Sequence, residues 1–277
     1  MENQNRYSLA DSPGPFEVKG DVVYDPTTGL TWQRQDDGKK RKHEGAVRYS
    51  ESLQLGGRND WRLPTRRELY SIVDFARHSP AFAAEFFKLT FAATTEETLW
   101  SAEVDEMLYL HKTPRTEIQW WQVEMQFGGN PWIFYQDSAI SLCVAGSPVP
   151  AARFKATSQG TVVDETNGLE WQQQDDGKKR NWEEAQAYAH SLNLAEGGWR
   201  LPGVKELESL VDLSKKQGPP INESLFPQTK EWAYWSATPG ASDSSKAWCV
   251  DFGGGGEVEK YDHSAEILVR CVRDANR

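Results

Sequence analysis

Apolar and polar residues alternate from Val22-Val23-Tyr24 to Trp32 and again from Val162-Val163 to Trp171, each run interrupted by turn formers, Pro26-Thr27-Thr28-Gly29 and Glu165-Thr166-Asn167-Gly168. A period of two broken this way predicts a two-stranded hairpin. After Asn181 the period lengthens, so that Trp182, Ala185, Tyr188, Ala189 and Leu192 share one helical face behind an N-cap with Glu184 three residues on. The matching stretch from His43 to Leu53 keeps Ala46, Tyr49 and Leu53 but has Lys42 at the cap and Gly45 inside. Each departure costs about 1 kcal/mol, which predicts a weaker helix. A second helix is expected after Trp61-Arg62-Leu63-Pro64, where Thr65 and Glu68 form a capping box ahead of Leu69, Ile72, Val73 and Ala76. After Trp199-Arg200-Leu201-Pro202, Gly203 takes the cap position before Leu207, Leu210 and Val211. Short strands account for the rest: around Trp100, Gln122 to Phe127 and Ala139 to Val144, then around Trp235, Ala247 to Phe252 and Ile267 to Val272.

These two series are one series written twice. Gly29-Leu30-Thr31-Trp32 with Asp36-Asp37-Gly38-Lys39-Lys40-Arg41 returns 139 residues later as Gly168-Leu169-Glu170-Trp171 with Asp175-Asp176-Gly177-Lys178-Lys179-Arg180. The Trp-Arg-Leu-Pro block returns after 138 residues, Trp100-Ser101-Ala102 after 135 as Trp235-Ser236-Ala237, and Cys143-Val144 after 128 as Cys271-Val272. A period this long exceeds the roughly 20 to 50 residues of solenoid repeats, so each unit is expected to close its own core. The expected division is a tail over 1–20, one domain over 21–146, a Pro-containing linker over 147–160, a second domain over 161–273 and a short tail over 274–277. The second copy is shortened chiefly between the Trp-Ser-Ala block and the final strand, which marks that interval as loop.

Of the twelve tryptophans, eight pair between copies: Trp32 with Trp171, Trp61 with Trp199, Trp100 with Trp235, and Trp121 with Trp248. Burying an indole contributes on the order of 5 kcal/mol gross, which suits pillars of a core. Net charge of −10 disfavours a general nucleic-acid binder, and the basic clusters Lys39–Lys42 and Lys178–Arg180 read as solvated hairpin tips. No run reaches the length of a membrane span, so no membrane insertion is expected. Residues 1–20 lack an apolar segment of signal-peptide type, so the chain is expected to be intracellular or to begin after a cleavage point. Cys249 and Cys271 lie on expected strands and could form a disulfide; their expected counterparts are Glu124 and Cys143, so the fold does not require one.

The order Thr-Gly-Leu-x-Trp, Asp-Asp-Gly-Lys, Trp-Glu-Glu-Ala, Trp-Arg-Leu-Pro, Glu-Leu, Val-Asp, Trp-Ser, Trp-Cys-Val-Asp-Phe and Arg-Cys-Val-Arg resembles the bacterial domain family typified by the C-terminal domain of the Legionella collagen-like adhesin. The match covers nearly the whole chain twice. The second copy is the closer, since the first ends Leu142-Cys143-Val144-Ala145 where the second has Arg270-Cys271-Val272-Arg273. The resemblance implies an α+β chain of two tandem C-type-lectin-like domains, each with two helices and a short-stranded antiparallel sheet. It also implies recognition of carbohydrate or another surface polymer, an exported or cell-surface setting, and no chemistry.

The residues themselves agree with that absence of chemistry. His43, His78, His111, His190 and His263 never pair at i and i+4, and no zinc, phosphate-loop or nucleophile-elbow motif occurs, so no enzyme and no cofactor is expected. The close cysteine pair of the formylglycine-generating enzymes, which share the lectin-like scaffold, is absent. Arg62 with Glu68 and Arg200 with Glu206, six residues apart in both copies, read as structural ion pairs. Asp74 and Asp212 near helix C-termini each call for a partner, a loop amide or, more sharply, a calcium ion. Unpaired aromatics Trp120, Trp132, Phe134 and Tyr135 fall in the lengthened interval, with Gln126, Asn130 and Gln136 nearby to meet hydroxyls. In the second copy the same interval offers Gly253–Gly256, Glu257, Lys260, Tyr261 and His263, expected as a flexible polar loop. Trp120, Gln126, Asn130, Trp132, Phe134, Tyr135, Tyr261 and His263 are therefore the candidate ligand contacts, for a glycan or, in the rival reading, for a protein partner in an assembly.

Overall fold

The computed structural model describes residues 9–78, 80–90, 98–105, 109–110, 113–114, 119–124, 138–253 and 255–275. In chain order the elements are β1 (Glu17–Lys19), β2 (Val22–Tyr24), β3 (Thr31–Gln33), α1 (His43–Ser52), β4 (Trp61–Arg62), α2 (Arg66–Ile72), β5 (Thr98–Asp105), β6 (Tyr109–Leu110), β7 (Thr113–Pro114), β8 (Gln119–Glu124) and β9 (Val144–Ala145). They continue with β10 (Phe154–Ala156), β11 (Thr161–Asp164), β12 (Leu169–Gln172), α3 (Trp182–Ser191), α4 (Val204–Glu208), β13 (Ala233–Pro239), β14 (Lys246–Asp251), β15 (Glu257–Asp262) and β16 (Val272–Asp274). The chain is α+β, with few helices and several small antiparallel sheets, and divides into two compact units, Met1–Asp105 with Ile118–Pro150 and Glu106–Glu117 with Ala151–Arg277.

In the first unit the sheet order is β1-β2-β3-β9-β4, with β5 and β8 forming a separate pair. In the second, β10-β11-β12-β16 form one sheet and β13-β14-β15 another. The repetition extends to single bridges: Arg41 meets Ala139 as Arg180 meets Ile267, and Leu99 runs parallel to Ile140 as Tyr234 does to Leu268. Each opening hairpin turns on a carboxylate. Asp25 accepts from the Thr27 amide and the Thr28 hydroxyl, and Asp164 from the Thr166 amide and the Asn167 side chain. Gly29 (φ 74°) and Gly168 (φ 72°) close these turns in the left-handed region, where a Cβ is disfavoured.

Seven of the eight paired indoles lie inside, and the side chain of the eighth, Trp121, lies outside the described residues. Trp32, Trp171, Trp235 and Trp248 are sealed from solvent, and Trp61, Trp100 and Trp199 are buried. In the second unit Trp235 and Trp199 pack with Ala185 and Ala189 of α3 and with Cys249 and Cys271. In the first, Trp100 packs with Ala46, Leu63 and Ala139, while Trp61 packs with Val22, Cys143 and Ala145.

Several expectations are corrected. Helix α2 stops at Ile72, a turn before Ala76, because the β-branched Val73 goes extended to bridge Phe82 and the Asp74 amide donates to Ala81. The stretch read as a flexible loop contains β15, paired with β14 along its whole length; its alternation is masked in sequence by Glu257, Glu259 and Tyr261, which share the face of Cys249. Strand β1 falls in the expected tail and β10 in the expected linker, each an edge strand of three residues, too short for an alternating pattern to register. Ladder register aligns Trp100–Gln122 with Trp235–Cys249, so the counterpart of Cys249 is Gln122 rather than Glu124. The suggested Cys249–Cys271 disulfide is not formed: Cys249 lies in the β13-β14-β15 sheet, Cys271 precedes β16 in the other, and all three cysteines are free, buried thiols.

Candidate functional site

Much of the polar side-chain chemistry holds the scaffold, in the same way in both copies. Gln33 donates to the Tyr49 hydroxyl (2.9 Å) and accepts from the Cys143 amide (3.1 Å); Gln172 donates to Tyr188 (3.1 Å) and accepts from Cys271 (3.1 Å). Over each tyrosine ring lies an arginine, Arg41 at 4.1 Å and Arg180 at 3.8 Å, which also grips the carboxylate of Asp37 or Asp176. These pairs hold both carboxyls below the usual range, and burial raises both phenols. The hairpin tips are thus tied to α1 and α3, and their arginines are not free for a ligand. In sequence both tyrosines read as helix-face residues and neither glutamine stood out, although the Gln-Tyr spacing of 16 recurs in both copies.

Arg62 and Arg200 make two-pronged contacts with Glu68 (both 2.7 Å) and Glu206 (2.6 and 2.7 Å). Each glutamate also accepts from the N-cap backbone, of Thr65 or Gly203, so the arginine orients a helix start. Asp74 accepts from Ser12 and pairs with Arg77 (2.9 Å), and Asp212 accepts from the Ser214 amide and hydroxyl. Among the described residues no three His, Cys, Asp or Glu side chains converge to hold a metal ion. Burial pushes the Cys143 and Cys271 thiols up to about 12 and Cys249 well above its ordinary value, so all three stay protonated near neutral pH.

One network belongs to the second copy alone. Arg270, sealed from solvent, donates to the carbonyls of Gln172 (2.8 Å) and Gln173 (2.6 Å), to Asp175 (3.1 Å) and to the Thr229 hydroxyl (2.9 Å). Tyr234 donates to the same Asp175 oxygen (2.9 Å), accepts from the Lys230 amide (3.0 Å) and has its phenol raised, chiefly by burial. In the first copy Leu142 stands at the arginine position, and Asp36 is bonded by Thr90 directly, from its amide (2.7 Å) and its hydroxyl.

Of the candidate contacts, Tyr261 lies on β15 opposite Ala247, half-buried against the core around Trp235. Burial and the neighbouring Glu259 raise its phenol. His263 stacks on Trp182 with ring centroids 4.1 Å apart, while Trp182 donates its indole N–H to the Ser236 carbonyl (2.8 Å). The backbone of Trp120 lies on β8; its side chain, like Gln126, Asn130, Trp132, Phe134 and Tyr135, lies outside the described residues.

A residue missed in sequence is Trp232, which is 48% exposed and carries the Lys179 ammonium 3.6 Å from its ring centre. In the same unit the exposed Gln174 and Gln228 are joined side chain to side chain (2.8 Å). The signal was available, since Trp232 has no tryptophan counterpart in the first copy, where Glu97 stands at the matching position. Among the described residues no helix is long and apolar enough to cross a membrane. No curated protein matches the chain. The family model of the Lcl C-terminal domain matches residues 21–145 and, a second time, residues 160–273, and the chain belongs to that family as two tandem copies of its domain.

Proposed function

We propose that each unit is a C-type-lectin-like domain and that the protein is a non-enzymatic recognition module, binding carbohydrate or a related surface polymer through the interval between the Trp-Ser-Ala strand and the last strand. The observation that carries this reading is the division of labour within the repeat. The hairpin turns, the Gln-Tyr-Arg-Asp ties and the Arg-Glu helix starts are kept in both copies as scaffold, whereas that interval differs in length and composition between them. Membership of the Lcl C-terminal domain family supports the same reading, and neither catalysis nor a resident cofactor is needed for it. On this reading Trp132→Ala or Tyr135→Ala removes binding to a glycan-array hit and leaves the thermal midpoint nearly unchanged; a large loss of stability places those rings in the core instead. Binding to immobilised protein alone, with every glycan silent, favours the assembly module.

A further inference from the structure

We infer that Asn167-Gly168 is a self-modification site of the second copy, where Asn167 deamidates through a cyclic imide once the turn opens. Asp164 holds the reaction off for as long as the hairpin between β11 and β12 stays closed. This is the only Asn-Gly pair in the chain. Asparagine is chemically labile, and most so before glycine, where no side chain shields the next backbone nitrogen. The Gly168 nitrogen attacks the Asn167 side-chain carbonyl carbon; that C–N bond forms, the bond to Nδ2 breaks, and Nδ2 leaves as ammonia with the proton of the Gly168 amide. Water then opens the five-membered ring at either carbonyl, giving aspartate or isoaspartate. One water enters and one ammonia leaves.

Nucleophile and leaving group are both tied to one residue. The Gly168 N–H donates to the Asp164 carbonyl (2.9 Å), and Asn167 Nδ2 donates to the Asp164 carboxylate (2.7 Å). The Asn167 amide donates to the same carboxylate (3.2 Å), and Asp164 is sealed from solvent. Attack requires the Gly168 nitrogen to give up its proton and the Asn167 side chain to swing off Asp164, so two hydrogen bonds must be lost first. Neighbouring chain braces the turn on both sides. The Ala275 amide donates to the Gly168 carbonyl (2.8 Å); Arg153, just before β10, donates from its amide to the Thr166 hydroxyl (2.9 Å) and accepts from the Glu165 amide (2.8 Å). The reaction therefore waits on an opening of the turn. Its product keeps the turn from closing again: the Nδ2 donor becomes a carboxylate oxygen facing Asp164, and the isoaspartate form adds a methylene to the backbone. In the first copy Thr28 stands at the Asn167 position and donates its hydroxyl to Asp25 (2.7 Å), closing the same turn with a side chain that does not cyclise.

The full chain is incubated at neutral pH and physiological temperature with and without denaturing urea, and conversion at Asn167 is followed by peptide mapping with mass spectrometry, isoaspartate being scored separately. Conversion in the folded chain is expected to be slower than in the unfolded chain by about 100-fold or more, the factor set by the cost of opening the turn. Asp164→Asn is close to isosteric and keeps the backbone acceptor but withdraws the carboxylate; in the folded variant conversion should be about tenfold faster than in the wild-type chain. Should that variant not fold, a urea series on the wild-type chain below its unfolding midpoint reads the same dependence, with conversion rising as the open fraction rises. Asn167→Asp, the product, should lower the thermal midpoint by about 5 °C, whereas Asn167→Thr, the first copy's choice, should hold it. Conversion as fast in the folded chain as in the unfolded one, no excess at Asn167 over the other asparagines of the unfolded chain, or a folded Asp164→Asn variant at the wild-type rate overturns the inference. An Asn167→Asp midpoint equal to that of the wild-type chain overturns the claim that the product keeps the turn open.

Discussion

At the scale of single residues the two copies solve the same problem with different side chains, and the differences have measurable consequences. The first residue of α1, His43, donates from Nε2 to the Ser101 carbonyl (3.0 Å); the first residue of α3, Trp182, makes the equivalent bond from its indole to Ser236 (2.8 Å). Both close a helix start onto the Trp-Ser-Ala strand, but only the imidazole titrates. Burial lowers the His43 pKa below its ordinary 6.5, so the unfolded chain takes up the proton first as pH falls. Stability from this site is therefore complete above about pH 6.5 and declines as pH drops through that value toward the lower folded one. In His43→Gln that part of the pH dependence should vanish. The gap between wild-type and variant thermal midpoints is expected to be widest near pH 8 and to narrow steadily toward pH 5; a gap independent of pH would contradict a half-buried imidazole held neutral by its surroundings.

At the scale of elements, the expectation of a weaker first helix rests on its cap. Lys42 gives α1 no side-chain cap, whereas Asn181 closes a full capping box on Glu184 at the start of α3. A Cβ added at Gly45 meets only the Arg41 Cβ at 3.6 Å, an ordinary contact. Gly45→Ala should thus raise stability by about 0.5–1 kcal/mol, and Lys42→Asn by about 1 kcal/mol, read as denaturant midpoints at unchanged slope. Such elements were legible because caps and helical periodicity are local in sequence. The ends of elements were not: α2 stops where Val73 leaves for a bridge to Phe82, a tertiary event. Strand β15 was hidden because its core-side positions carry Glu257, Glu259 and Tyr261 where a sequence reader expects Val or Ile. The Gln-Tyr and Arg-Asp ties were equally hidden, since hydrogen-bond partners leave no periodic trace. Trp232 was readable by the reasoning that singled out Trp132, namely an aromatic without a counterpart, once applied to both copies.

At the scale of the whole molecule, duplication makes each copy a control for the other, and the departure noted at Leu142 against Arg270 is where this control has most to say. The second unit holds Asp175 with a fully buried guanidinium, while the first holds Asp36 with Thr90 and has the buried Leu142 at the arginine's position in the repeat. Replacing Arg270 by the first copy's solution is therefore not neutral: Arg270→Leu takes the one guanidinium from the buried Asp175 carboxyl, which keeps only Tyr234 and the Gly177 amide, and from two backbone carbonyls, a loss of about 3 kcal/mol. For a unit of this size that corresponds to a shift of roughly 10 °C in the transition it affects. The core clusters around Trp235 in one unit and around Trp61 and Trp100 in the other draw on residues of a single unit each. Scanning calorimetry of the variant should accordingly lower one transition of the full chain and leave the other in place. Adding Asp175→Asn should restore part of the loss by removing the stranded charge, an interaction energy that a double-mutant cycle reads directly. A single transition that moves as a whole would show instead that the two halves unfold as one.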